Sequence, residues 1–357
     1  MPVEIYSGGC GGEGPNRTTS RHHEASFSDP ERAGEAITIG LINNMPDAAF
    51  KATERQYRSL LGEASGEDIK VRLLFYVFPE IPRKAWSAND ARRYASAETL
   101  LDTRLDGLIV TGREPTTPDL RQECYWERLT EVMDWAKENT SSAVWSCLAA
   151  HAAVLHLDGI GRRRNVTKHS GVMECERVSK HRLNSNIPSR FHIPHSRYNG
   201  VAEEELGASG YRVLARAAGA GVDSFVKDFK SLFVFLQGHP EYESDTLLRE
   251  FRRDVERYLR HESDTYPAIP RAYFDWATEA KLTELGEQAW LSRDEQLMAG
   301  FDMVLSGKTI EKTWRQPGVT MYRNWIEYLG ARKHVSPHAS QPILVDAGHS
   351  MSRGLNR

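Results

Sequence analysis

The sequence predicts an α/β protein built on a doubly wound, largely parallel sheet, and three observations carry that expectation. From Ala36 onward, short apolar runs alternate with amphipathic stretches of helical length, the pattern of a parallel sheet covered by helices on both faces. Several runs, such as Gly107-Leu-Ile-Val110 and Leu232-Phe-Val-Phe-Leu236, are apolar throughout, as strands buried on both faces are. Two of them end abruptly on reactive side chains, Cys147 and His239. In doubly wound sheets, ligands bind just outside the carboxyl ends of the strands.

Taken in order, residues 1–34 are rich in Gly, Ser, Glu and Arg without periodicity and read as a disordered tail. Its Gly8-Gly-Cys-Gly-Gly-Glu-Gly14 run has no strand before it and no Gly-Lys-Ser after it, so it is not a phosphate loop. His22-His23 in such a tail read as inert. Strands are expected at 37–43, 69–78, 107–111 and 142–147, with helices near 50–62, 92–102, 123–138 and 148–156. After Gly159 the runs shorten, giving strands near 171–177, 190–194, 211–216, 222–228 and 232–237, then a helix at 243–262. Residues 35–264 therefore read as one domain. The aromatic-rich segment 265–333 reads as a small C-terminal appendage packed on it, and 334–357 as a flexible tail.

Composition narrows the function. The 357 residues carry a net charge of −3 with a pI near 6.5, so nothing points to nucleic acid, and Arg162-Arg163-Arg164 reads as a solvated loop. No apolar run approaches the roughly 20 residues of a membrane span, and no signal-peptide core begins the chain. Cys10, Cys124, Cys147 and Cys175 show no disulfide or metal spacing, so no metal site is expected. The expected compartment is the reducing cytoplasm.

The chemistry centres on Cys147. Ser142-Ala-Val-Trp-Ser-Cys147 ends a buried strand, and the Ala-rich Leu148–Leu155 begins a helix. A nucleophile at that junction sits on a tight turn with free helix N–H groups beside it, an environment that favours a thiolate. A Cys nucleophile needs a base, and the base needs a carboxylate to fix its tautomer. His239 and Glu241 stand two residues apart just after the strand at 232–237, where they can point to one side. Cys147, His239 and Glu241 thus read as a catalytic triad, with the Leu148 backbone N–H as an oxyanion donor.

These segments and several others resemble a known family. Gly40-Leu-Ile-Asn-Asn-Met-Pro46, Asp106-Gly-Leu-Ile-Val-Thr-Gly112, Tyr125-Trp126, Lys168-His-Ser-Gly-Val172, Pro194-His-Ser-Arg-Tyr198, Gly238-His-Pro-Glu-Tyr242 and Arg249-Glu-Phe-Arg-Arg-Asp254 occur in this order. Together they resemble the homoserine O-acyltransferases of the amidotransferase-like type, often called homoserine O-succinyltransferases. The resemblance implies a flavodoxin-like sheet of the class I glutamine amidotransferase type. It implies acyl transfer from acyl-coenzyme A, a co-substrate rather than a bound cofactor, through a Cys147 thioester to the hydroxyl of homoserine, as in methionine biosynthesis. By the same resemblance Lys168, Ser196 and Arg253 hold the amino-acid acceptor, and the protein is a homodimer.

Some positions depart from the family pattern. Leu148 and His151 replace a Trp and a Gln, Lys51 arrives late after Asn44-Met-Pro46, and Arg113-Glu114-Pro-Thr116 replaces an Ala-Pro-Leu run. Thr116, Arg113 and Glu114 therefore become the acyl-specificity candidates. Thr116 repels no succinyl carboxylate, so succinyl-coenzyme A is expected over acetyl-coenzyme A, and serine or a related hydroxy-amino acid is the alternative acceptor. A glutamine amidotransferase would need the Gly-x-Cys-x-Gly elbow that this chain lacks. A non-catalytic binding protein would not need an intact triad.

Overall fold

The computed structural model describes residues 3–5, 36–84 and 86–335. Cys10, the Gly8–Gly14 run, His22-His23 and the expected tail segments 6–34 and 336–357 lie outside them. Within the expected N-terminal tail, Val3–Ile5 forms a strand, β1, paired parallel with Val71–Leu73. Two β-branched residues in three suit an edge strand.

The chain continues β2 (Ile37–Ile42), α1 (Asp47–Ser65), β3 (Val71–Val77), α2 (Ala88–Arg93), β4 (Tyr94–Ser96), β5 (Gly107–Val110) and α3 (Trp126–Asn139). Then come β6 (Ser142–Ser146), α4 (Leu148–Asp158), β7 (Arg163–Arg177), β8 (Arg190–Gly200), α5 (Glu203–Ala208), β9 (Arg212–Ala217), β10 (Gly221–Asp228) and β11 (Leu232–Leu236). Four helices follow: α6 (Thr246–Leu259), α7 (Trp276–Ser292), α8 (Met298–Leu305) and α9 (Arg315–Val335).

The described strands make one sheet in the order β1-β3-β2-β5-β6-β11-β10-β9-β7-β8, with β4 beside β3. From β1 to β11 neighbouring strands are parallel. From β11 to β8 they are antiparallel. The chain winds from β2 to β3 on one side, then returns to β5 and β6 on the other. Between β2 and β5 lies the switch point that marks binding crevices in such sheets.

Helices cover both faces. On one, α1 buries Phe50, Tyr57, Leu60, Leu61 and Ala64, a stripe at helical spacing, and α9 adds Tyr322, Trp325, Ile326 and Leu329 to the same core. On the other, α3 and the almost wholly buried α4 pack beneath Trp145, Phe233 and Phe235. A further core joins α6, α7 and α8 around Phe251, Phe274 and Phe301.

Two elements differ from expectation. The helix expected over 92–102 starts early and stops early, because Ser87 and Asp90 form a reciprocal cap. Tyr94–Ser96 then pairs with Phe75–Val77 as a strand, and the Tyr94 ring lies 4.7 Å from Phe50 and 5.2 Å from Phe75. Tertiary packing overrides local helix propensity here. The strands expected near 171–177 and 190–194 extend into one long hairpin, β7–β8. Lys168 and Ser196 therefore stand on paired strands.

Candidate active site

Strand register brings the reactive residues together. β6 and β11 are parallel neighbours with Ser146 opposite Leu236, so the residues after each strand emerge at one edge. The Cys147 N–H donates to Leu236 O at 2.7 Å, closing that edge. Cys147 then turns at φ 52° and ψ −111° before α4 begins. Positive φ is uncommon for a non-glycine residue. It makes the sharp strand-to-helix turn that lifts a nucleophile out of the sheet.

β5 flanks β6 on its other side, with Val110 opposite Trp145, so the loop after β5 runs beside the elbow. A Cβ on Gly112 would lie 2.6 Å from Leu148 N and 3.0 Å from Ser146 O. Only glycine lets this loop approach the N–H at the start of α4. That N–H has no partner within the helix. Across the switch point, Asn44 N–H donates to Thr111 Oγ1 at 2.8 Å and Asn44 Nδ2 to Thr111 O at 3.1 Å.

His239 Nδ1 lies 2.8 Å from Glu241 Oε1, and its ring stacks on Tyr242 at 4.3 Å with a 17° tilt. Burial of His239 works against its charged form. The Glu241 carboxylate and then Cys147, which hydrogen-bonds to the imidazole, outweigh burial and push its pKa well up. With Nδ1 given to Glu241, the nitrogen facing Cys147 is Nε2. The three residues expected to act together are adjacent.

Helix α6 supplies two carboxylates one turn apart that the sequence reading did not single out. Glu250 accepts from Ser196 Oγ and, at 2.7 Å, from Tyr242 Oη. Asp254 accepts from Lys168 Nζ at 2.7 Å and from Arg253 Nε and Nη2 at 2.9 and 2.7 Å. Burial works against the Asp254 charge, but Lys168 and Arg253 outweigh it and hold its carboxyl below the usual range. Lys168, Ser196 and Arg253 thus line up along one face of α6. The i, i+4 spacing of Glu250 and Asp254 is the signal in the sequence that could have found them.

The model of the homoserine O-succinyltransferase family matches residues 22–335 of this chain. A homoserine O-succinyltransferase of Rhodopseudomonas palustris is 44% identical over 299 residues, 84% of this chain and 90% of that protein. One from Bradyrhizobium japonicum is 44% identical over 296 residues, 82% of this chain and 90% of that protein. One from Methylorubrum extorquens is 40% identical over 304 residues, 85% and 90% of the two chains. The chain belongs to the homoserine O-succinyltransferase family.

Within this homoserine O-succinyltransferase family member, the departures are spread over several elements. His151 is buried on α4 in place of Gln, its Nδ1 without a partner among the described residues, and burial followed by the charges of Arg197 and Arg162 pushes its pKa down to about 3. Lys51 is the basic residue that arrives late after the Met45 turn. It is exposed and lies 3.6 Å from Asp90. Arg83 reaches the same turn, donating to Met45 O and, at 3.0 Å, to Asn43 O. Thr116 is held by Glu123, its N–H at 2.6 Å and its hydroxyl at 2.9 Å. Glu114 pairs with Arg257 at 3.1 Å rather than with Arg113. The Arg113 guanidinium lies 5.8 Å over the Tyr125 ring, and its buried Nε has no partner among the described residues.

Proposed function

We propose that this chain moves a succinyl group from succinyl-coenzyme A to the hydroxyl of homoserine, in methionine biosynthesis, by way of a thioester on Cys147. Cys147 Sγ attacks the thioester carbonyl, the tetrahedral oxyanion is met by the Leu148 N–H, and coenzyme A leaves with the proton held by His239. His239 then takes the proton of the homoserine hydroxyl as its oxygen attacks the acyl-enzyme, and O-succinylhomoserine and free Cys147 result. Glu241 fixes the His239 tautomer and stabilises the imidazolium formed in each half.

The observation that supports this most is the register of β6 and β11, which delivers Cys147 and His239 to one edge of the sheet in a chain of this family. Charge matching supports the acceptor assignment. Lys168 and Arg253 share one carboxylate, Asp254, which leaves one positive charge for the α-carboxylate of a zwitterion. Glu250, one turn away, offers the negative charge for its ammonium, with Ser196 between. Of the three acyl-specificity candidates, Arg113 is the one with an unpaired buried donor next to Gly112. It is assigned the succinyl carboxylate, while Glu114 and Thr116 are engaged by Arg257 and Glu123. A free nucleophilic Cys147 suits a reducing compartment, which supports the cytoplasm as its place of action.

The test is direct. Purified protein is incubated with succinyl- or acetyl-coenzyme A, with and without homoserine, and coenzyme A release is followed. Homoserine-dependent release, faster from succinyl-coenzyme A, is expected. Release that ignores homoserine, or ammonia production from glutamine, would overturn the reading.

A further inference from the structure

The His195-Ser196-Arg197 segment of β8 faces two ways, because alternate residues of a strand point to opposite faces. Ser196 meets Glu250 on α6, whereas His195 and Arg197 turn into the protein, at 0% and 4% exposure. Nothing in the acyl-transfer scheme uses this second pair, yet a buried cation and a buried imidazole need partners. Arg197 donates from Nε to His195 Nδ1 at 3.2 Å, from Nη1 to Asn199 O at 2.7 Å, and from Nη2 to Ala220 O. On the far side of the ring, His195 Nε2 lies 3.2 Å from Asp223 Oδ1, in a bent geometry short of a full hydrogen bond.

Asp223 is the extra residue of a bulge in β10, where the pairing with β9 slips between Val222 and Ser224. Bulges beside active sites re-aim a side chain, and this one turns Asp223 beneath Gly238. A Cβ on Gly238 would lie 2.8 Å from Asp223 Oδ1 and 3.0 Å from His195 Nε2. The backbone on either side of Gly238 is tied to the same two strands. Gln237 N–H donates to Asp223 O and His239 N–H to Pro194 O, each at 2.8 Å.

Cys175 Sγ, His195 and Asp223 also lie within 4.8 Å of one another, a spacing that would suit a metal ion. The direction of the Arg197 hydrogen bond argues against one. An arginine N–H can only donate, so His195 Nδ1 accepts and the ring proton sits on Nε2, which then has no lone pair for a metal. The same logic leaves a proton on Nε2, the ring nitrogen 3.2 Å from Asp223 Oδ1.

We propose that Asp223, His195 and Arg197 form a buried relay that positions His239 against Cys147 from beneath Gly238. They are positioning residues, acting through the floor on which the Gly238-His239 turn rests. The proposal builds on the acyl-transfer reading, but its primary test needs no acyl donor. Cys147 pairs with His239 in the resting protein, and that pairing can be read from the rate at which iodoacetamide alkylates Cys147 at neutral pH.

In Asp223→Ala the rate should fall on the order of tenfold or more. The kcat for succinyl transfer should fall in parallel by about 10- to 100-fold, as for an angstrom-scale misplacement of a reacting group, with KM for both substrates unmoved. Asp223→Asn keeps an oxygen for His195 Nε2–H and should restore both readouts. Should Asp223→Ala fail to fold, His195→Asn serves in its place, because the shorter side chain no longer spans Arg197 and Asp223. It should show the same paired loss. Variants that lose only thermal stability, with alkylation and kcat per folded molecule unchanged, would overturn the relay, as would an Asp223→Asn protein no better than Asp223→Ala. If the wild type alkylates rapidly yet transfers no succinyl group, the acyl-transfer reading fails while the relay stands.

Discussion

At Cys147 the backbone stands at φ 52° and ψ −111°, a region that costs a residue with a Cβ of order 1–3 kcal/mol. Glycine there pays no such strain. Cys147→Gly should therefore melt above Cys147→Ala by the equivalent of about 1 kcal/mol, although both are inactive; the reverse order would show that the elbow is unstrained. In the proposed function, Arg253 has a geometric rather than a purely electrostatic task. Arg253→Lys keeps the charge but loses the fork that can clasp a carboxylate. The KM for homoserine should rise on the order of tenfold, and the acylation half-reaction measured without acceptor should survive. Equal loss of acylation would move Arg253 to the donor site or to folding. His151 makes a pH prediction. An unfolded chain protonates it near its ordinary 6.5, whereas the folded protein resists until about 3. The unfolded state thus binds more protons across that window, and stability must fall as pH drops through it, by up to about 5 kcal/mol from this residue. His151→Gln should narrow the gap between melting temperatures at pH 7 and pH 4; an unchanged gap would mean that His151 is already charged or solvated at neutral pH.

Among elements, the loops after β5, β6 and β11 build the site, and their contribution rests on close backbone approach. Gly112→Ala would place a methyl group 2.6 Å from Leu148 N, pushing one loop off the elbow. If the Leu148 N–H meets the oxyanion, kcat should fall by about 10²- to 10³-fold, the loss seen when one such donor is removed, while the protein stays folded. A Gly112→Ala enzyme with unaltered kcat would place the oxyanion elsewhere. Strands β2, β3, β5, β6 and β11 were readable in the sequence because each is a mainly apolar run, and so was the junction at Cys147. The short β4 and the bulge at Asp223 were not. Tyr94-Ala-Ser96 carries no strand pattern of its own and pairs only because the Tyr94 ring packs on Phe50 and Phe75. A bulge depends on how a strand meets its neighbour, which no local pattern records. Of the proposed site, Cys147, His239, Glu241, Lys168, Ser196 and Arg253 could be named from their motifs. Arg83 could not, since it reaches the Met45 turn from 38 residues away.

Across the whole molecule, helix α9 closes the face of the sheet opposite α4. Trp325 is buried beneath the strands and donates from Nε1 to Ser142 Oγ at 2.9 Å, and Leu329 and Trp325 crowd Gly107 on β5. Trp325→Ala should cost about 3–5 kcal/mol and lower the unfolding midpoint in urea without changing the kcat of the folded fraction. A loss of kcat with full stability would instead tie α9 to the chemistry. Tyr322, also on α9, and Tyr57 on α1 are buried in the field of Glu241, which adds to burial in pushing up the pKa of both hydroxyls. The C-terminal helix thus reaches the region of the proposed triad through the core. Aromatic richness in the sequence pointed to packing here, but the face of the sheet it covers depends on the winding of the whole chain. The proposed function depends on the acyl group resting on Cys147 between donor and acceptor. Intact-protein and peptide mass spectrometry after brief exposure to succinyl-coenzyme A, with homoserine withheld, tests it most directly. One succinyl adduct is expected, on the peptide containing Cys147, discharged when homoserine is added and absent from Cys147→Ala. An adduct on Cys124 or Cys175 instead, together with a Cys147→Ala protein that still transfers succinyl groups, would contradict it.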